Sequence, residues 1–312
     1  SKCLGKPGVV TEESKPTTQL SPLLFDLTSL QRDANRRFGF SAKNTLAIAQ
    51  ALYEKHKVLT YPRTDSRALP EDYLPVARET FQMLAKSGMS HLKSHAKLAL
   101  DNGYIKPSRR IFDNSKISDH FAIIPTLQAP RNLNEAERKL YDLVVRRFLA
   151  VFHPSAEFLQ TTRITTVGEH RFKTEGKVLQ SAGWLAVYGR ATQDESENLP
   201  AVGNGEKVKT LEVSASALQT KPPARYSEAT LLSAMEGAGK LVEDDELRAA
   251  MEAKGLGTPA TRAAIIEGLI REEYVHRNGR ELVPTPKAFS LLFALHHFGV
   301  TEITSPELTG DW

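Results

Sequence analysis

The sequence contains little cysteine, no long apolar stretch and few aromatic residues. Cys3 is the only cysteine among 312 residues, which excludes an internal disulfide and a thiolate zinc cluster and favours the cytosol. No window approaches the roughly 18 consecutive apolar residues that a membrane span needs. No basic segment followed by an apolar run opens the chain, as a secretory signal would require. These features predict a cytoplasmic protein with no membrane partner.

Several phosphate-binding and catalytic motifs are also missing. The segment 237–240 lacks the upstream glycine and the following hydroxyl of a P-loop, and the glycines at 203 and 205 lack the third glycine of a dinucleotide site. His91 and His95 stand four residues apart without the glutamate of a His-Glu-x-x-His zinc motif. The chain also has no Gly-x-Ser-x-Gly elbow. An ATP motor, a nicotinamide enzyme and a serine hydrolase are therefore not indicated.

What is present is an ordinary globular composition with a small excess of positive charge. The chain is 40% hydrophobic and 25% charged, and its length predicts two or three domains at about 150 residues each. Its 41 basic and 37 acidic side chains give a formal charge of +4, which only slightly favours a polyanionic partner. The chain starts at Ser1 without methionine and stops at Trp312, so we expect a piece of a longer protein.

Hydrophobic spacing divides the chain into a helix-rich, a β-rich and a second helix-rich part. Apolar residues recur at helical spacing up to about residue 150, and alternation of period two begins near 156. Helices are predicted at 27–38, 41–55, 70–84, 134–152, 226–247 and 258–273. Strands are predicted at 57–61, 158–167, 171–179, 184–188 and 207–217.

Other segments carry turn signals. Proline and glycine in residues 1–25 predict a loop or an edge strand, and residues 86–118 are mixed and basic. Asn278-Gly279 between two β-prone runs predicts a type I′ hairpin. A helix followed by this hairpin resembles a winged-helix unit. The acidic run 243–246 is interpreted as a solvated helix face.

The segment 61–67, with sequence YPRTDSR, combines a tyrosine with two guanidinium groups, two hydroxyls and a carboxylate. A tyrosine is a poor nucleophile at neutral pH because phenols have pKa values of about 10. An adjacent arginine, here Arg63, would favour the phenolate and neutralise a phosphate under attack. The alternative is a surface turn in which Asp65 and Ser66 cap the backbone and Tyr61 is a half-buried strand residue.

Segment 59–66, with sequence LTYPRTDS, resembles the active-site tyrosine motif of the type IA DNA topoisomerases. Segments 119–126 (DHFAIIPT) and 255–262 (GLGTPATR) resemble two further motifs of that family, in the expected order. Segment 304–310 (TSPELTG) is similar to one typical of the topoisomerase III branch. In this family the tyrosine attacks a single-strand DNA phosphodiester and becomes linked to the 5′ phosphate. The resemblance covers most of the chain.

The resemblance implies four catalytic residues. Tyr61 would be the nucleophile, and Arg63 and His120 would stabilise the phosphate. Asp119 would orient and support the imidazole of His120. Taken alone, an Asp-His pair before an apolar segment is as well explained by a satisfied structural pair.

Five further residues are expected to bind DNA or to support the site. Thr64, Ser66 and Arg67 would support the tyrosine loop or bind the DNA backbone. Thr258 and Arg262 would contact DNA phosphates, because the free N–H groups at a helix start bind anions. The alternative for this third motif is an ordinary capped helix packed into a core.

The resemblance also implies a fold and a missing partner domain. It implies an α+β multidomain protein with a type IA topoisomerase core, in which a tyrosine domain can lift away as a gate. The parts would be a β-rich connecting domain (1–25 and 151–224), a helical tyrosine domain (26–150) and part of a helical single-strand groove domain with the winged-helix-like unit (225–312).

The family's Toprim domain holds Mg²⁺ and supplies a catalytic glutamate, and no Toprim-like segment is recognisable in this sequence. We therefore expect no metal ligand in this chain, and expect the chain alone to be inactive. The implied partner is single-stranded or negatively supercoiled DNA, and the implied state is a monomer. The rival function is a non-catalytic single-strand DNA-binding module. A tyrosine recombinase or a relaxase is a weaker alternative, because the Arg-His-x-x-Arg and His-x-His motifs are not found.

Overall fold

The computed structural model describes residues 2–189, 202–241, 245, 248, 249, 251, 255–300 and 302–305. Most of the acidic run 243–246 and of the closing segment 304–310 lies outside the described residues. The chain forms two compact units: one comprises Ser1–Pro22 with Leu149–Pro222, and the other comprises Leu23–Phe148 with Pro223–Trp312. In the described ranges, no helix is both long enough and apolar enough to cross a bilayer.

The first unit is built on an antiparallel sheet. Its strands are β1 (Pro7–Gln19), β2 (Ala156–Val167), β3 (His170–Ser181) and β4 (Lys207–Lys209), in the spatial order β3-β2-β1-β4. The strands predicted at 158–167 and 171–179 are confirmed. Strand β1 pairs with β2 along Val9–Gln19 but with β4 only at Pro7–Val9. Pro16 is tolerated because that part of β1 has a neighbour on one side only.

Two strand predictions in this unit are wrong. The run at 184–188 belongs to a 3₁₀ helix, Gly183–Tyr188, in which Trp184 is buried and donates its indole N–H to the Gln19 carbonyl at 2.8 Å. A short apolar run does not distinguish a strand from a buried helical turn. The run at 207–217 forms a strand only over Lys207–Lys209, because the chain before β1 turns at Cys3–Lys6 and its pairing extends no further than Thr210.

The second unit is mainly helical. Most predicted helices are confirmed, and α4 was missed because its buried face consists of one leucine and two alanines in a polar, basic segment. The helices of the described chain are α1 (Leu27–Phe38), α2 (Ala42–Glu54), α3 (Leu74–Lys86), α4 (Ser90–Asp101), α5 (Glu135–Phe152), α6 (Glu228–Glu236), α7 (Pro259–Arg271) and α8 (Pro286–His297).

Side-chain caps explain where three of these helices begin. The backbone N–H of Asn44 donates to the Ser41 hydroxyl at 3.1 Å, and that of Glu137 donates to Asn134 Oδ1 at 2.9 Å. Serine and asparagine are both preferred residues at this position. Helix α1 begins after Asp26, whose carboxylate accepts from the Ser29 N–H at 2.6 Å. Such caps satisfy N–H groups that have no partner within the helix.

A β-hairpin follows α7, as predicted, but its turn differs. Strands β5 (Val275–Asn278) and β6 (Glu281–Pro284) pair so that Asn278 faces Glu281, which leaves Gly279 and Arg280 as the two turn residues. Of these two, only Gly279 has a positive φ, at +60°. A type I′ turn needs a positive φ at both positions, so this turn is of the II′ kind, with glycine first.

Replacing Gly183 should weaken the first unit strongly. Gly183 has φ +48°, and a Cβ there would lie 2.3 Å from the Ser155 carbonyl oxygen. Gly168 has φ +61° with nothing within 4 Å of a Cβ, and so isolates the cost of backbone strain. We expect Gly168→Ala to lower the free energy of unfolding by about 1 kcal/mol and Gly183→Ala to cost about 2 kcal/mol more. Urea unfolding measures both, and equal losses would contradict this account.

Candidate active site

The backbone around Tyr61 is held by the second motif. The Thr60 N–H donates to the Ile124 carbonyl at 3.0 Å, and the Thr60 hydroxyl donates to the Ala122 carbonyl at 2.9 Å while accepting the Ile124 N–H at 2.9 Å. Leu59 and Pro125 form an isolated bridge. The predicted strand at 57–61 is therefore no regular strand, but an extended segment fixed by hydrogen bonds.

The same segment also fixes the chain beyond Tyr61 and before α1. The Thr64 hydroxyl donates to the His120 carbonyl at 2.8 Å, the Ala122 N–H to the Ala68 carbonyl at 3.0 Å and the Ile123 N–H to the Phe25 carbonyl at 2.8 Å. The motif at 119–126 thus lies beside the tyrosine motif along most of its length. The two motifs, distant in sequence, form one local structure.

The Tyr61 side chain is half-buried between two rings. Its ring centroid lies 4.2 Å from that of His120, with the planes inclined by 45°, and 5.5 Å from that of Tyr53 in an edge-on arrangement. His120 itself is exposed. The phenol therefore has a defined position and still reaches solvent beside an accessible imidazole.

The other charged residues of the two motifs are also exposed. The Arg63 guanidinium has one long contact, 3.4 Å to Gln50 Oε1, and the Asp65 carboxylate accepts from the Ser118 hydroxyl at 3.3 Å. Asp119 is exposed next to His120 in sequence, and within the described ranges no hydrogen bond or ion pair joins the two side chains. Its support of His120 stays a prediction.

The hydroxyls of Thr64 and Ser66 are directed into the protein. Both residues are only 3% exposed. Thr64 Oγ1 also accepts the Ser66 N–H at 3.0 Å, and Ser66 Oγ donates to the Lys116 carbonyl at 2.8 Å. These hydroxyls stabilise the bend of the tyrosine loop, and their contact with DNA stays a prediction.

Arg67 joins the loop to two helices. Its Nε donates to Asp26 Oδ2 at 2.6 Å and its Nη2 to Glu236 Oε1 at 2.8 Å, so it links the cap of α1 with the last residue of α6. Glu236 also accepts from Arg32 at 3.0 Å. Burial lowers the pKa of the Arg67 guanidinium, but the two carboxylates more than offset this and leave it raised.

The third motif begins α7 and carries one exposed and one buried residue. Thr258 is exposed at the helix start, and its N–H donates to Thr261 Oγ1 at 2.9 Å. Arg262 is 3% exposed; it donates to the Leu256 carbonyl at 3.0 Å and to Thr28 Oγ1 at 2.9 Å. Burial lowers the pKa of Arg262. Nearby carboxylates, of which Glu236 has the largest effect, raise it, but burial outweighs them. This arginine fixes α7 against α1, and its contact with DNA stays a prediction.

The described residues do not fit a resident metal ion. No three of their histidine, cysteine, aspartate or glutamate side chains come together as metal ligands. The described part of the chain therefore provides no ligand set that could hold a metal ion by itself.

Four residues of the site were not predicted from the sequence. Tyr53, in α2, packs its ring against that of Tyr61. It lies eight residues upstream in an amphipathic helix, and no sequence pattern there indicates a contact with the site. Asp26, Glu236 and Thr28 serve as partners of arginines that lie far away in sequence. Only Asp26, directly before a predicted helix, carried a readable signal, that of an N-cap.

Comparison with known proteins identifies the family. The family model described as DNA topoisomerase matches residues 2–312. DNA topoisomerase 3 of Bacillus licheniformis is 40% identical over 99% of this chain and 43% of its own length, and that of Bacillus cereus is 42% identical over 97% and 42%. The chain thus spans about two fifths of the length of these curated relatives.

A solved structure shows the same fold. Full-length topoisomerase I from Thermotoga maritima matches 98% of this chain and 47% of its own chain, with a TM-score of 0.73 and 24% sequence identity. The predicted α+β class with a type IA core is thereby confirmed. On the family match and the two relatives, the chain belongs to the type IA DNA topoisomerases and is similar to bacterial topoisomerase III.

Proposed function

We propose that this chain is the tyrosine-bearing part of a DNA topoisomerase that cleaves and religates single-strand DNA through a 5′-phosphotyrosine bond. The observation that carries the proposal is the half-buried Tyr61, whose ring packs against the exposed imidazole of His120, with the exposed Arg63 two residues further along the same loop. A positioned nucleophile with an imidazole beside it and a guanidinium on the same loop is suited to phosphoryl transfer.

The chemistry is an exchange of one phosphodiester for another. The Tyr61 oxygen forms a bond to phosphorus, the bond from phosphorus to the 3′ oxygen breaks, and that oxygen takes up a proton as the phenol loses one. Religation reverses each change. Because the phosphotyrosine bond retains the energy of the broken bond, neither direction needs ATP, which agrees with the lack of a P-loop in the sequence.

Arg63 and His120 have separate proposed roles at this phosphate. The exposed Arg63 guanidinium can bind the non-bridging oxygens in a charge-assisted, bidentate contact. His120, whose ring packs on that of Tyr61, can donate to a non-bridging oxygen of the same phosphate. Asp119 is proposed to support this imidazole when DNA is bound.

The five other residues are proposed to hold and extend the DNA site. The exposed start of α7 at Thr258 is suited to a DNA phosphate, because the dipole of a helix favours anions at its start. Thr64, Ser66, Arg67 and Arg262 hold the loop and the helices around it. Thr64, Ser66 and Arg262 are buried, so any contact they make with the DNA backbone would need a local opening.

The remaining parts of the proposal lie outside this chain. We propose that Mg²⁺ and a catalytic glutamate come from a Toprim domain of the longer protein, and that the enzyme acts as a cytoplasmic monomer on single-stranded or negatively supercoiled DNA. The domain limits 1–25 with 151–224, 26–150 and 225–312, and the opening of the tyrosine domain as a gate, belong to the same proposal.

Removing the phenolic oxygen should abolish the covalent intermediate. In a topoisomerase of the relatives' full length that carries this sequence, we expect Tyr61→Phe to yield no DNA adduct after denaturation, while Tyr53→Phe still yields one. The adduct is measured with an oligonucleotide labelled on the 5′-phosphate side of the cut. An adduct that persists in Tyr61→Phe would mean that another residue is the nucleophile.

The two arginines of the tyrosine loop should separate chemistry from stability. Arg63→Ala should lower cleavage by about 100-fold and change the free energy of unfolding by less than about 0.5 kcal/mol, because Arg63 is exposed. Arg67→Ala leaves the buried Asp26 without its charged partner, and should cost about 1–2 kcal/mol after allowance for its partial exposure. Urea unfolding measures the change in stability, and single-turnover cleavage measures the change in rate. A loss of stability in Arg63→Ala together with a loss of cleavage of about 100-fold in Arg67→Ala would contradict these roles.

The chain alone should not relax DNA. With Mg²⁺ and negatively supercoiled plasmid, we expect no relaxation by the 312-residue chain, because the acidic metal site is proposed to lie elsewhere. Addition of the missing domain as a separate polypeptide should restore activity. Efficient relaxation by this chain alone would show that it already contains a complete site. DNA binding by the full-length protein without any adduct would favour the non-catalytic binding module.

A further inference from the structure

One face of the four-stranded sheet concentrates positive charge. Residues paired across antiparallel strands point to the same side, and the ladder aligns Arg171, Thr166, Val9 and Lys207 in one row. Continuing two residues at a time along each strand gives the charged members of this face. They are the cations Lys15, Arg171, Lys173, Lys177, Lys207 and Lys209, and the carboxylates Glu13 and Glu175.

This face, named here the basic sheet face, is open to solvent. Along the first half of β1, up to Glu13, exposure alternates: Val9 is 47% exposed whereas Val10 is 1% exposed. On the opposite face the buried Arg163 pairs with Glu12 at 2.6 Å. The unpaired positive charge of the sheet thus lies on the exposed side.

The basic sheet face does not neutralise itself. Six cations and two carboxylates give it a net charge of +4. Its carboxylates have partners on the same face: Glu13 pairs with Lys15 at 2.9 Å, and Glu175 pairs with Lys173 at 2.6 Å.

Four of the six cations form no ion pair with any described residue. Lys177 lies over the Phe158 ring, 3.8 Å from its centroid. The other three, Arg171, Lys207 and Lys209, lie at one end of the sheet, near the β2–β3 turn and β4. Two carboxylates are near them in sequence: Glu206 accepts from the Gly203 N–H at 2.8 Å, and Glu169 lies in the β2–β3 turn. Neither carboxylate forms an ion pair with these cations, so this end holds most of the unpaired charge.

The spacing of these three cations suits an extended polyanion. Neighbouring strands are about 4.8 Å apart, and residues two apart in a strand are about 6.8 Å apart. Arg171 and Lys207 lie three strand steps apart in one row, so the cluster extends over about 14 Å. Between them stand only Val9 and Thr166, which offer no aromatic ring for a base to stack on. Binding here would be to phosphates and independent of base sequence.

We propose that the basic sheet face is a second DNA-binding surface, which holds the sugar–phosphate backbone of single-strand DNA. The proposal rests on the proposed function in one respect, that the polyanion is DNA. It assigns Arg171, Lys207 and Lys209 as phosphate contacts. None of them belongs to the three motifs of the tyrosine site.

The test is the salt dependence of binding. The 312-residue chain is titrated against a labelled oligothymidylate by fluorescence anisotropy at several salt concentrations between about 50 and 200 mM, the range in which phosphate contacts dominate. Each contact to a single strand contributes about 0.7 to the slope of log K against log salt. The triple variant Arg171→Gln, Lys207→Gln, Lys209→Gln should therefore reduce the slope by about 2. Between about 1 M and 0.1 M salt, its affinity for the oligonucleotide should then rise roughly 100-fold less than that of the parent chain.

A matched triple variant in the other unit is the control. Lys93, Lys97 and Lys106 are exposed lysines of the helical unit, and their change to glutamine should leave the slope within about 0.5 of the original, less than one contact. All six positions are exposed, so both variants should unfold at the same temperature as the parent chain, and the slopes are then comparable.

Three results would overturn the proposal. The first is an unchanged salt slope in the sheet variant, and the second is an equal fall of the slope in both variants. The third is a sheet variant that loses affinity for polyglutamate but not for DNA, which would indicate an acidic protein as the partner. The adduct test at Tyr61 is independent of these. A sheet face that binds DNA with no Tyr61 adduct would refute the chemistry alone, and an adduct with an unchanged slope would refute the sheet face alone.

Discussion

The site depends on one constraint, the hydrogen bonding of the extended segment from His120 to Thr126 with the chain on either side of Tyr61. Thr60 is bonded to it through both backbone and hydroxyl, and Thr64 through its hydroxyl. A tyrosine on a free loop would lose much conformational entropy on reaching a phosphate. Here that cost is met on folding, because neither flank of Tyr61 can move without breaking several bonds to the other motif.

A division of labour among arginines follows from this frame. Arg67 and Arg262 use their donors inside the protein, on Asp26 and Glu236 in one case and on Leu256 and Thr28 in the other. Arg63 retains an exposed guanidinium with a single long contact. A guanidinium already held by two carboxylates is a weak ligand for a third anion, which is why the proposed phosphate contact of the tyrosine loop is assigned to Arg63.

The sequence predicted the helices well, because caps such as Ser41 and Asn134 and the helical spacing of apolar residues act locally. It predicted the strands less well where pairing partners decide, as at β4, which is short because the chain before β1 turns at Cys3–Lys6. In the site, motif resemblance pointed to Tyr61 and His120, whose rings the fold brings together and whose catalytic roles stay predictions. It could not separate Arg63 from Arg67, because their partners lie in α2, before α1 and in α6, and only the fold brings these together.

The packing of α6 and α7 on α1 and α2 determines which contacts must break if the tyrosine segment opens as a gate. These elements share one compact unit, and much of their contact is polar: Glu228 accepts the Ala42 N–H at 2.7 Å, Glu236 holds Arg32 and Arg67, and Arg262 reaches Thr28. The ion pairs of Glu236 are partly exposed, and such pairs gain little net stability because solvent screens their attraction. Their charges rehydrate when the elements separate, whereas separation would also expose the apolar cluster of Ala42, Leu232, Met235, Ala263 and Ile266, which water penalises. If the tyrosine segment lifts as proposed, these bonds must break first, and loss of the contacts of Glu236 would release Arg32 and Arg67 together.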